Sequence, residues 1–200
     1  MKTTLLPRSL PLSLLLLPLL LSGCANSTPP TRYYSLATPQ PLTSDTAHPE
    51  LRLGIGPITL PQRIDRREIL VRSEPQQLTP LPFDLWSGNL REEIQHRLGQ
   101  RLAAQLGTEQ LHFFPFRGAE LDHQVRIELL ELSATPGEQA ELLALWELRG
   151  ASHTPRIRRS HYQQSLLEQD IATLVQHYGQ LLDQLAAEIA AAILERPPQE

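Results

Sequence analysis

The chain has 200 residues, with 18 Lys and Arg against 22 Asp and Glu, seven His and a single Cys, for a net charge of −4. One cysteine excludes an intrachain disulfide, and a mildly acidic balance suits nonspecific nucleic-acid binding poorly, because that binding depends on neutralising phosphates. Lys2 is the sole lysine, which excludes a Walker A phosphate loop and a Schiff-base or general-base lysine anywhere downstream.

In chain order, the first element is an export signal. Lys2 and Arg8 make a short basic region, residues 10–21 are almost all leucine, and Leu21-Ser22-Gly23-Cys24 follows. A basic start, a short apolar core and small residues before a cut site describe a secretory signal peptide. The cysteine directly after Ser-Gly makes it the lipoprotein kind. The apolar run falls short of the roughly twenty residues that span a bilayer, and Pro11 and Pro18 interrupt it. Cleavage is expected before Cys24, whose thiol takes a diacylglycerol and whose new amino group takes a further acyl chain. No other cofactor is expected. Two or more chains anchor firmly where one binds marginally. Ala25 stands where aspartate would favour inner-membrane retention, so the anchor is placed in the outer membrane, facing the periplasm. Loss of residues 1–23 leaves 177 residues and, without Lys2 and Arg8, a net charge of −6. That length suffices for one domain with a sizeable core.

Residues 24–49 are expected to form a lipidated linker. Thirteen of the twenty-five residues 25–49 are Pro, Ser or Thr, a composition that cannot bury enough apolar surface to offset its ordering entropy. As a flexible coil, about twenty-five residues have an r.m.s. reach of roughly 25–30 Å. Tyr33-Tyr34-Ser35-Leu36 interrupts the linker and could add an edge strand to the domain, which is placed at residues 50–195 with a tail at 196–200. Residues 51–55 alternate with period two and predict a half-buried strand; residues 68–72 predict a second, with Pro57 and Pro61 in the turn between. Gly54-Ile55-Gly56 lacks the third glycine of a dinucleotide turn and reads as a strand end.

Asp84 is the expected N-cap of the first helix. Trp86, Leu90, Ile94, Leu98, Leu102 and Leu106 recur every four residues with polar residues between, an amphipathic stripe, and Gly107 suits its stop. Residues 125–132 and 141–148, with Pro136-Gly137 between them, predict an antiparallel hairpin of central strands. Residues 156–164 alternate polar and apolar side chains and predict an edge strand. Ile171, Leu174, Val175, Tyr178, Leu181, Leu182, Leu185, Ile189 and Ile193 trace one stripe of a last helix, with Asp170 near its start. Two amphipathic helices on one face of a mainly antiparallel sheet make an α+β domain.

Several of these segments resemble one family. The lipobox, Tyr33-Tyr34-Ser35-Leu36, and Leu53-Gly54-Ile55-Gly56-Pro57-Ile58-Thr59-Leu60-Pro61 come first. Ile64-Asp65-Arg66, Ile69-Leu70-Val71-Arg72, Trp86 and Trp146 follow in the same order. Together, from about Tyr33 to Ile193, they resemble the PqiC-like family of ABC-type transport auxiliary lipoproteins. Gly88 is a departure from the bulkier residue expected there. The resemblance implies a non-enzymatic accessory of an MCE-type intermembrane lipid transport system, with an MCE-domain periplasmic protein as partner and self-association into a homo-oligomer. The alternative is a lipoprotein that carries an acyl chain in its own cavity; a third reading is an organiser of the envelope that touches peptidoglycan.

Candidate binding residues are few. Asp65, Arg66 and Arg67 lie in the densest charge cluster. Exposed charged loops on a rigid scaffold recognise other proteins, while a solvated, self-compensating turn would carry the same residues. Arg156, Arg158 and Arg159, with His153 and His161, suit lipid phosphates, or simply keep an edge strand soluble. The histidines are dispersed, without metal-ligand spacing, and Glu128 and Glu131 are carboxylates of the kind any polar strand shows. No catalytic or metal-binding residue is expected. Trp86 and Trp146 read as packing residues.

Overall fold

The computed structural model describes residues 28–36, 48–150 and 154–195. The expected signal peptide, Cys24, part of the expected linker, His153 and the 196–200 tail lie outside them. In chain order the elements are β1 (Arg32–Tyr34), β2 (Leu53–Thr59), β3 (Glu68–Glu74), β4 (Gln77–Trp86), α1 (Leu90–Leu106), β5 (Leu111–Phe113), β6 (His123–Thr135), β7 (Gln139–Gly150), β8 (Arg156–Ser165) and α2 (Ile171–Leu194).

The fold is α+β with two mixed sheets. The larger has the order β5-β2-β6-β7-β8, and the smaller β1-β4-β3. The predicted hairpin is present and longer than expected, pairing His123 with Gly150 and Thr135 with Gln139. It occupies the middle of the larger sheet, with β8 antiparallel at its edge. The sheet is mixed because β2 runs parallel to both β5 and β6; in the smaller sheet, β1 runs parallel to β4.

Period-two alternation sorts the hairpin into two faces. Ala140, Leu142, Ala144, Trp146 and Leu148 of β7 are buried, as are their register partners Val125, Ile127, Leu129 and Leu132 of β6. Both helices lie on this face: Ser160 of β8 donates to Glu188 of α2, and Gly99 of α1 faces Ile55 of β2. The smaller sheet leans on the same core, where Trp86 meets Tyr178 of α2 at 6.4 Å between ring centroids.

Both helix ends follow from local chemistry. The Asn89 side chain accepts the Glu92 N–H, and Gly107, at φ 66°, closes α1 with its N–H on the Ala103 carbonyl. Asp170 caps α2 by accepting the Thr173 N–H at 2.9 Å. The expected start of α1 is corrected. Asp84 does not cap the helix; it lies in β4, buried, and accepts the Tyr34 hydroxyl. Trp86 ends that strand instead of opening the helix. The strands β4 and β5 were not expected at all. Pro80 and Pro82 argue against a strand, yet β1 pairs β4 only at Asp84, Leu85 and Trp86. Where the prolines lie, β4 has a neighbour on one side alone.

Candidate partner-binding surfaces

The loop between β2 and β3 holds the predicted cluster. Buried Ile64 pins it, and a turn forms as the Ile64 and Asp65 N–H groups donate to the Pro61 carbonyl. This turn presents Asp65, Arg66 and Arg67 side by side, with different surroundings. Asp65 is tied to Arg91 of α1. Arg66 pairs with Glu68 at 3.0 Å; that bond raises the guanidinium pKa and, with the Glu68 residue's own backbone N–H, lowers the carboxyl pKa. Arg67 is exposed, and its charge adds to the field on Glu68. The structure thus brings the three residues together and leaves Arg67 as the cation among them with no ion pair among the described residues.

The basic edge strand serves α2. Arg156 donates to the Ala192 carbonyl, an acceptor the last turn of a helix leaves open. Arg156 and Arg158 both reach Glu195, at 3.2 and 2.7 Å. Arg158 also lies 5.9 Å over the Trp146 ring, whose indole N–H donates to Ser160. Arg159 points to the opposite face, and His161 pairs with Glu141. Trp86 and Trp146 are 3% and 1% exposed, packing residues as read. Glu131 accepts from Arg63 and Arg72. Among the described residues no three His, Cys, Asp or Glu side chains gather, and no helix is long and apolar enough to cross a membrane.

Sequence reasoning missed a latch at the N-terminal end of the domain. Asp84 accepts the Tyr34 hydroxyl at 2.9 Å and the Arg32 guanidinium at 2.7 Å; burial and then the Asp84 bond push the Tyr34 pKa up to about 12. Leu36, 1% exposed, donates its N–H to Glu93 at 2.6 Å and accepts from Arg97 at 2.7 Å. Arg97 in turn grips Asp183 and the Gly179 carbonyl on α2. The Tyr33-Tyr34-Ser35-Leu36 motif was the available signal; its partners lie fifty or more residues away.

The face of the larger sheet turned from the helices is covered at one end by the loop after β5, where Phe116 and Leu121 sit against Gly54. Beyond that loop it is open. There Leu145 and Ile157 are 36% and 65% exposed and line a groove of about 310 Å³.

Comparison with known proteins follows this geometry. A crystal structure of an uncharacterized protein matches with a TM-score of 0.69 at 17% identity, over 82% of this chain and 99% of the other. A protein from Xanthomonas campestris, of the family DUF330, gives 0.67 at 15% identity, over 82% and 95%. At such identities the likeness speaks to the fold. Among curated proteins, none matches the chain in sequence. A family model described as the ABC-type transport auxiliary lipoprotein component matches residues 34–190. The chain belongs to that family, whose members are lipoproteins auxiliary to ABC-type transport.

Proposed function

We propose that the protein is an outer-membrane-anchored accessory of an MCE-type intermembrane lipid transport system, acting by docking partners and not by turnover. Its anchor is the acylated Cys24, and its partners are the MCE-domain periplasmic protein and further copies of itself.

The observation that carries this reading over lipid carriage is a filled core. Leu142, Trp146, Leu182, Leu185 and Ile189, between sheet and helix, are each at most 1% exposed. Where the smaller sheet meets α2, the void lined by Leu70, Trp86, Leu132 and Tyr178 is about 10 Å³, at the limit for one water. Neither place admits an acyl chain. The surface, by contrast, offers Arg67 on a pinned loop and an uncovered sheet face.

Cross-linking the lipidated protein in intact cells tests the reading. The unaltered chain should capture an MCE-domain protein, and Arg66→Glu with Arg67→Glu should weaken that capture without unfolding the domain, since exposed charges contribute little to stability. Asp65 is left in place because Arg91 depends on it. Capture of neither an MCE protein nor a second copy, with lipid extraction from vesicles by the purified protein, would establish the carrier reading instead.

A further inference from the structure

An antiparallel sheet with one solvated face ordinarily shows polar side chains there. On the open face of this sheet, the middle of β7 and the start of β8 instead carry apolar side chains: Leu145 and Ile157, on adjacent strands, are 36% and 65% exposed. They line the groove with Pro57, Arg126, Glu128 and Glu147.

The charges around them fall into two classes. Glu147 is compensated, with Arg126 at 3.5 Å and Arg149 at 2.9 Å. Glu128 and Arg159 are exposed and have no ion pair or hydrogen bond among the described residues. Register places these two in one row: Glu128 lies opposite Leu145, and Leu145 opposite Arg159. Two strand spacings separate an anion from a cation by about 10 Å, with leucine midway. That width is close to the 10–12 Å diameter of an α-helix with its side chains.

We propose that this face binds an amphipathic helix of a partner protein. The helix seats its apolar stripe on Leu145 and Ile157, turning a cation toward Glu128 and an anion toward Arg159. The inference rests on the reading of the chain as a docking module and names the chemistry of what docks. A strand added to the edge of β8 would leave Leu145, one strand further in, uncovered. An anionic lipid surface would meet two carboxylates, Glu128 and Glu147, along with its arginines. A second copy has no matching helix to offer among the described residues, because both helices bury their apolar stripes in their own core.

The test places a photoactivatable amino acid at position 157 of the full lipidated chain in its native cells, and a second probe separately at position 67. Adducts are mapped by mass spectrometry. The expected result is an adduct from position 157 to a helical segment of a periplasmic protein. Glu128→Arg or Arg159→Glu should each reduce it about fivefold, the effect of one reversed rim charge, while the melting temperature stays unchanged. Adducts from position 157 only to lipid, only to a second copy, or to a protein with no response to either reversal overturn the inference. A partner captured at position 67 but not at 157 overturns it while leaving the docking function standing. Capture at neither position overturns both.

Discussion

Alanine at position 179 should destabilise the protein, against the usual effect of replacing a helical glycine. In an ordinary helix interior that change gains about 0.5–1 kcal/mol. Here the new Cβ would stand 2.7 Å from Cζ and Nη2 of Arg97 and 2.9 Å from its Nη1. Arg97 is not free to swing aside. Its Nε donates to the Gly179 carbonyl at 3.0 Å and to Asp183 at 2.9 Å, Nη1 to the Leu36 carbonyl at 2.7 Å, and Nη2 to Asp183 at 2.9 Å. The side chain is 11% exposed, so water replaces little of what is lost. Hydrogen bonds to a charged group contribute about 1.5–3 kcal/mol each. Losing one or two outweighs the helix gain, for a net loss of about 1–4 kcal/mol. For a domain of this size that lowers the melting temperature by roughly 3–12 °C. The assay is thermal unfolding of Gly179→Ala, Arg97→Ala and the double variant. In the Arg97→Ala background the Gly179 change should be neutral or stabilising, an interaction visible only in the cycle. A higher melting temperature for Gly179→Ala alone would refute the reasoning.

Three further outcomes are expected. A chain beginning at Leu51 lacks β1 and buried Leu36 and should lose about 2–5 kcal/mol relative to one beginning at Thr31; equal denaturation midpoints would show that β1 contributes nothing. Asp122, held by the side chain and then the backbone N–H of Arg52, has its carboxyl lowered from 3.8 to about 2. Its contribution is therefore fully present above about pH 4 and lost as pH falls toward 2, so Asp122→Asn should flatten the acid limb of the stability curve, and an unchanged limb counts against the pair. Cys24→Ser should leave a full-length precursor that takes up no labelled fatty acid; normal labelling of that variant ends the lipoprotein-anchor reading.

What was legible in the sequence is what local spacing encodes. The α2 stripe and the hairpin around Pro136-Gly137 each state their period within one segment, and both stand where expected. The start of α1 was misplaced because Trp86 lies four residues before Leu90 and so continues the helical spacing backwards. Ser87-Gly88-Asn89 was the truer boundary, with Asn89 as cap. Parallel pairing of β2 with β6 and of β1 with β4 joins segments far apart in sequence, and no residue pattern announces it. The same holds for Arg97 and Asp183, eighty-six positions apart. At the charged loop, residue types pointed to a cluster, but only geometry separates Asp65 and Arg66, already paired, from Arg67. The open face was half legible: Ile157 and Arg159 alternate visibly, whereas the row from Glu128 through Leu145 to Arg159 exists only once register is known.

Docking of β1 changes what an anchor at Cys24 would do. Read as a free coil up to Pro49, the linker would let the domain sample tens of ångströms. With the strand held from Arg32, only seven residue steps separate Cys24 from Thr31, and even fully extended they span at most about 25 Å. Counted from Leu51 instead, the same bound is roughly 95 Å. The fourfold difference rests on a few contacts: Asp84 with Arg32 and Tyr34, and Leu36 with Glu93 and Arg97. Because Arg97 also grips Asp183, a pull on the anchor passes through Leu36 into both α1 and α2, not into a surface loop. If Cys24 is the membrane anchor proposed above, a domain held this way would stay within a short distance of that membrane, and a partner crossing the periplasm would have to come to it. That is the arrangement an accessory needs if it receives the far end of a transport assembly, and it makes residues 31–36 as consequential for docking as the face that docks.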